Sequence, residues 1–247
     1  VTRPRIAREW LYPESIPAAS ETQRLLAQRV VTEDAFDEVR TVAGADISHN
    51  IRDPQAMVYA AMVLLEWPGL EVRERVGVRT RADFPYVPGY LGFRECPSLV
   101  AAYERLPALP DLILVDGHGI SHPRGFGIAT HLGVLLDRPT IGVAKSILVG
   151  TPAGEPGPEP GDHVPLVWRG RTIGAALRTK RRVSPVYVSI GHRISLPTAI
   201  EWVMRTVRGY RLPEPTRQAH LAANLLRREQ TDVFPAPAPR STHPRSR

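Results

Sequence analysis

Asp111-Leu-Ile-Leu-Val-Asp116-Gly-His-Gly119 is the stretch from which the fold is read. Four branched apolar residues between acids are too few for a helix, and they read as a buried strand of a parallel sheet. Asp116 ends that run, where a carboxylate loses its hydration at a cost of several kcal/mol unless positive charge stands nearby. Asp46 ends Val42-Ala-Gly-Ala-Asp46 in the same way. Glu95 closes the turn-rich aromatic stretch Tyr86-Val-Pro-Gly-Tyr-Leu-Gly-Phe-Arg-Glu95. A divalent cation with oxygen ligands supplies the missing charge, and such sites hydrolyse phosphodiesters in many nucleases. Taken singly, each acid also reads as a turn or cap residue, since a strand-end Asp often caps the turn after it.

Working outward, residues 1–19 are Pro-rich and read as irregular. Ser20 with Gln23 resembles a capping box that opens a helix through Val31. Val42–Ile47 reads as a strand. Ala56–Glu66 and the alternating stretch Val72–Arg79 form an antiparallel hairpin around Trp67-Pro-Gly. The pattern then becomes α/β, with a helix at Ser98–Leu106, the strand Leu112–Val115, a helix from Ile128 to Leu136, and the buried strand Thr140–Ala144. Successive strand–helix–strand units imply right-handed parallel crossovers. Thr151–Gly161 is a Pro/Gly loop, residues 164–178 a hairpin turning at Arg169-Gly170, and Val186–Ile190 a further strand. Pro197 opens a helix, and Glu214–Glu229 is the last one. Residues 231–247 read as a disordered Pro/Arg tail. An antiparallel meander followed by crossover units is the layout of a ribonuclease H-like fold, a mixed central sheet with helices on both faces. Residues 20–230 would form that domain, and Asp46 and Asp116 would lie side by side on neighbouring strands.

The chain has 247 residues, enough for one large domain, and a net charge of +7. Its 32 basic residues are arginine apart from Lys145 and Lys180, which suits a polyanionic partner and equally an arginine-rich surface of compositional origin. With Cys96 alone there is no disulfide framework. No apolar run approaches a membrane span and no signal peptide is evident. A cytoplasmic monomer is the expectation.

Five segments, in order, carry a resemblance. Gly44-Ala-Asp-Ile-Ser48, Pro85 to Glu95, Val115-Asp-Gly-His-Gly-Ile-Ser-His-Pro-Arg124, Ala129-Thr-His-Leu-Gly133 and Pro139-Thr-Ile-Gly-Val-Ala-Lys145 are similar to those of the endonuclease V family of deoxyinosine-directed repair nucleases. The likeness runs from about Ser20 to about Arg228. It implies that Asp46 and Asp116 hold Mg²⁺, with Mn²⁺ as a substitute, and that Glu95 faces them across the site. Lys145 would stabilise charge on the phosphate, and His220, in the last helix, would shuttle protons or neighbour a second metal. Tyr86, held between Pro85 and Pro88, would be a wedge that helps turn out the lesion base. The base pocket would be built from Pro88, Gly89 and Leu91 with the turn Gly117, His118, Gly119 and Ile120, where glycines let backbone groups read hypoxanthine. His122 and His131 would touch phosphate or pack beside it. The implied partner is DNA, cut at the second phosphodiester 3′ to the lesion to leave 3′-hydroxyl and 5′-phosphate ends. Inosine-containing RNA is an alternative substrate, and a lesion-binding protein that does not cut is another, although binding alone needs no such set of acids. A Holliday-junction resolvase on the same fold would leave the Tyr86 motif without a purpose. His49 departs from the pattern, which more usually has a phenyl or phenol ring there.

Overall fold

Strand β1 (Thr41–His49) sends alternate side chains into two separate cores. Val42 packs with Tyr59, Leu112, Leu114 and Ile141 on one face. Ala43 and Ala45 join Met62, Ile113 and Val115 on the other. A computed structural model describes residues 5–50 and 53–234. The remaining strands are β2 (Met57–Glu66), β3 (Val72–Arg81), β4 (Leu112–Val115), β5 (Thr140–Ala144), β6 (Thr151–Pro152), β7 (His163–Trp168), β8 (Arg171–Leu177) and β9 (Val186–His192). They form one sheet in the order β3-β2-β1-β4-β5-β9-β8-β7-β6. β1, β4 and β5 run parallel, and antiparallel strands flank them on both sides. The four residues of β4 are all fully buried, each stabilising the fold by ~1.5–3 kcal/mol as an upper estimate.

Helices α2 (Leu91–Arg105) and α3 (Ile128–Leu136) cover the Ala43 face. Helices α4 (Leu196–Arg205) and α5 (Glu214–Glu229) cover the other. Gly44 fixes how closely α5 approaches, because a Cβ there would lie 1.8 Å from the Pro215 carbonyl oxygen. The first turn of α5 therefore rests directly on β1, which brings His220 over the end of that strand.

Two helix starts differ from expectation. Helix α1 (Ile16–Ala27) begins at Ser15, whose hydroxyl accepts from the Ala18 amide at 3.2 Å, with Pro17 in the first turn. Ser20 is inside that helix and bonds Tyr90 Oη at 2.6 Å. Residues 1–19 are thus not wholly irregular, since a 3-10 turn at Arg8–Trp10 also precedes α1. Helix α2 begins seven residues before Ser98, so Glu95 lies on a helix and not in a turn. Pro97 lies inside this helix, where proline removes a backbone hydrogen bond. Burial of Gly92, Phe93, Arg94 and Cys96 outweighs that loss. The loop at 151–161 contributes the short strand β6, which pairs with β7. Most of the expected tail, residues 235–247, lies outside the described residues.

Candidate active site

The parallel pairing of β1 with β4 places Ala45 opposite Val115, and the Asp116 amide donates to the Ala45 carbonyl at 2.9 Å. Asp46, within β1, and Asp116, just past β4, therefore lie side by side, each side chain 9% exposed. From α5, His220 Nδ1 lies 2.8 Å from Asp46 Oδ2 and 3.7 Å from Asp116 Oδ2. Lys145, just past β5, pairs with Asp116 and lies 3.3 Å from His220 Nδ1. Ligand atoms of Asp46, Asp116 and His220 all fall within 4.8 Å of one another. The two carboxylates are an acceptable donor set for a divalent cation, and the imidazole stands beside them.

Glu95 reaches the same place from the second turn of α2. Its carboxyl is pushed up to about 8, chiefly by burial and then by the charge of Asp46, with Asp116 adding to it and Arg94 opposing. Asp116 is raised to about 6 by burial and Asp46, against the pull of Lys145 and His220. Glu95 and Asp116, both raised beside Asp46, form a site short of positive charge, as a cation site must be when metal-free.

Asn224, four residues after His220, donates from Nδ2 to His220 Nε2 at 3.1 Å and accepts from Ser48 Oγ at 2.9 Å. That assignment leaves the Nδ1 proton of His220 facing Asp46. Asn224 was not singled out in the sequence, although its i, i+4 spacing from His220 puts both on one helix face.

A cavity of about 310 Å³ opens beside the carboxylates, within the roughly 300–1,000 Å³ of small-molecule sites. Tyr86, Pro88, Gly89 and Leu91 form one wall, and Gly117, His118 and His122 another. Tyr86 is 52% exposed, and its ring centroid is 6.0 Å from that of His49, whose Nε2 stands 3.9 Å from Glu95 Oε1. Burial pushes both His118 and His122 down to about 4, with Arg124 also acting on His122. Both rings are therefore neutral near pH 7.

Two of the expected pocket residues stand elsewhere, and His131 packs. Gly119 and Ile120 turn towards β9, where Ile120 donates to the Ile190 carbonyl and packs against the α4–α5 core. His131 is fully buried, with Nε2 2.8 Å from the Trp10 carbonyl and its ring against Phe93 and Phe126. It is a packing residue in this fold and has no path to phosphate.

A clamp that the sequence did not reveal holds the Tyr86 loop. The Gly89 carbonyl accepts from Arg124 and from Gln23 Nε2 at 3.0 Å. Gln23 Oε1 accepts from Arg124 Nε at 2.6 Å, and the guanidinium stacks on Tyr90 at 4.2 Å. Gly89 has φ +80°, a value that a side chain would strain.

Compared with known proteins, residues 24–221 match the family model described as Endonuclease V. The chain belongs to the endonuclease V family. It is 59% identical to Endonuclease V of Rhodospirillum centenum over 226 residues, covering 91% of this chain and 94% of that one. The crystal structure of Endonuclease V from Streptomyces avermitilis superposes with a TM-score of 0.84 at 38% identity, covering 93% of this chain and 99% of that one. Endonuclease V of Ciona intestinalis, in complex with DNA containing an inosine followed by a ribo-adenosine, is 27% identical with a TM-score of 0.74. That alignment covers 87% of this chain and 98% of that one. Membership of the endonuclease V family makes the chain a nuclease with a ribonuclease H-like fold. Among the described residues, no helix is long and apolar enough to cross a membrane.

Proposed function

We propose that this chain is a Mg²⁺-dependent DNA repair endonuclease that recognises deoxyinosine and cuts the second phosphodiester on the 3′ side, leaving 3′-hydroxyl and 5′-phosphate ends. The observation that carries the proposal is the Asp46–Asp116–His220 cluster, with Glu95 beside it, at the edge of a base-sized cavity. A bound cation supplies charge to polarise the phosphate and to acidify water. Asp46 and Asp116 would hold it, and Mn²⁺ would substitute for Mg²⁺.

Glu95, once ionised, accepts the proton of the attacking water. Lys145 faces the phosphate and stabilises the charge that builds on its oxygens. His220, oriented by Asn224, keeps a proton beside Asp46 for transfer during the reaction. Tyr86 stacks into the strand as the base leaves it. The Arg124–Gln23 clamp holds the loop that carries this ring, so the wedge is rigid before the substrate arrives.

The test is cleavage of matched duplexes, one with a single deoxyinosine, in Mg²⁺ and in EDTA, together with an RNA copy. A Mg²⁺-dependent nick one nucleotide beyond the inosine's own 3′ phosphodiester is expected. Cutting of the RNA alone would move the activity to RNA. Binding of inosine with no cutting of either would overturn the nuclease assignment for this site.

A further inference from the structure

Ser121 and Ser189 are buried behind the cavity wall, 1% and 0% exposed. Ser121 Oγ donates its single proton to Ser189 Oγ at 2.9 Å, and Ser189 Oγ also accepts from the Gly119 amide at 2.8 Å. His118 Nδ1 lies 3.1 Å from Ser121 Oγ. A hydroxyl has one proton to give. With that proton committed to Ser189, Ser121 can only accept from the ring, so Nδ1 carries the N–H. A neutral imidazole has one N–H, which leaves Nε2 as a bare acceptor. Nδ1 is tied to the serine pair, and Nε2 is the nitrogen left to meet a ligand on the cavity side.

We propose that Ser189, acting through Ser121, holds His118 in the Nδ1–H tautomer, so that Nε2 accepts the ring N–H of a lactam base in the cavity. Ser121 and Ser189 are positioning residues, and His118 determines specificity. The inference rests on the base-binding reading of the cavity given above and deepens it. Hypoxanthine presents N1–H on its Watson–Crick edge, and xanthine and uracil present an equivalent lactam N–H. Adenine and cytosine present a bare ring nitrogen there, which would set two acceptors facing each other in a half-buried site, with neither satisfied. The ligand class is thus deaminated bases as a group. Guanine carries the same N1–H, and its 2-amino group finds no acceptor in Nε2.

Long-range ¹H–¹⁵N correlation spectra of the full chain, with ¹⁵N-labelled histidine and His118 assigned by loss of its signals in His118→Phe, read the tautomer directly near pH 7. An amine-type Nδ1 and a pyridine-type Nε2 are expected. The reverse pattern, or an even mixture, would overturn the proposal. Ser189→Ala frees the Ser121 proton to point at Nδ1, so the ring should turn over to Nε2–H. Binding of short inosine oligonucleotides in EDTA, relative to the matched adenine oligonucleotides, should then fall about tenfold. Ser121→Ala, which removes the Nδ1 acceptor, should reduce the same ratio and serves if Ser189→Ala fails to fold. A ratio unchanged in both variants refutes the assignment. These readouts need no cutting, so a chain that reads inosine but leaves it intact would sink the nuclease proposal and spare this one.

Discussion

Replacing Glu95 with Gln should flatten the pH dependence of the metal-free fold. The Glu95 carboxyl, ordinarily near 4.5, is pushed up to about 8 by burial and by the charge of Asp46 and Asp116. Its value in the fold lies above its value in the unfolded chain, so the fold binds the proton more tightly. The stabilisation is fully present below about pH 4.5 and is lost as pH rises, the loss being complete above about 8. At 1.36 kcal/mol per pH unit, the window amounts to roughly 5 kcal/mol, a large share of the 5–15 kcal/mol typical of a domain. Gln has the shape of the protonated acid and does not titrate. Urea unfolding in EDTA across this window should therefore show Glu95→Gln gaining on the parent chain as pH rises, from near zero at about pH 5 to several kcal/mol at about pH 8. Adding Mg²⁺ should narrow the gap, because cation binding displaces the proton from Glu95 in the parent. Parallel curves for the two chains in EDTA would mean that Glu95 ionises freely, and the charge-poor cluster described above would be wrong.

Four further outcomes follow from the same geometry. Asp46→Asn or Asp116→Asn should lower cleavage at least ~100-fold while a gel shift still detects inosine binding; normal cutting by either variant would remove it from the metal site. Arg124→Ala, which releases the Gly89 carbonyl, should raise KM about tenfold with little change in kcat at saturation, and Tyr86→Ala should reduce the preference for inosine over adenine by a similar factor. An unchanged KM in Arg124→Ala would show that the wedge loop does not depend on the clamp. Burial holds the His131 ring at about 4, so protonation favours the unfolded chain, and stability should drop by ~3 kcal/mol as pH falls from about 6.5 to about 4. Unfolding curves of His131→Phe should lack that part of the acid loss, and an identical acid profile in the variant would contradict the burial effect.

The acids at the ends of apolar runs were legible because a strand of branched residues has few alternatives and a buried carboxylate needs a partner. The run Leu112–Val115, the paired strands around Trp67 and the helix carrying His220 all follow from local pattern, as does the adjacency of Asp46 and Asp116 once a parallel crossover is granted. The start of α2 is not legible locally, since Pro97 lowers helix propensity where burial of Phe93 and Cys96 stabilises the helix. His131 resembled a site residue in sequence, and only the packing of α3 against α2 turns it into the core. The Gln23–Arg124 clamp joins residues 101 apart, and the Ser121–Ser189 pair joins residues 68 apart. Hydrogen bonds between such distant positions leave no periodicity in the chain. Sequence fixes which side chains are available and which strands must be buried, because propensity and hydrophobic pattern are local. Which nitrogen of His118 carries the proton, and how strongly Glu95 and Asp116 hold theirs, depends on the distances that the folded sheet imposes.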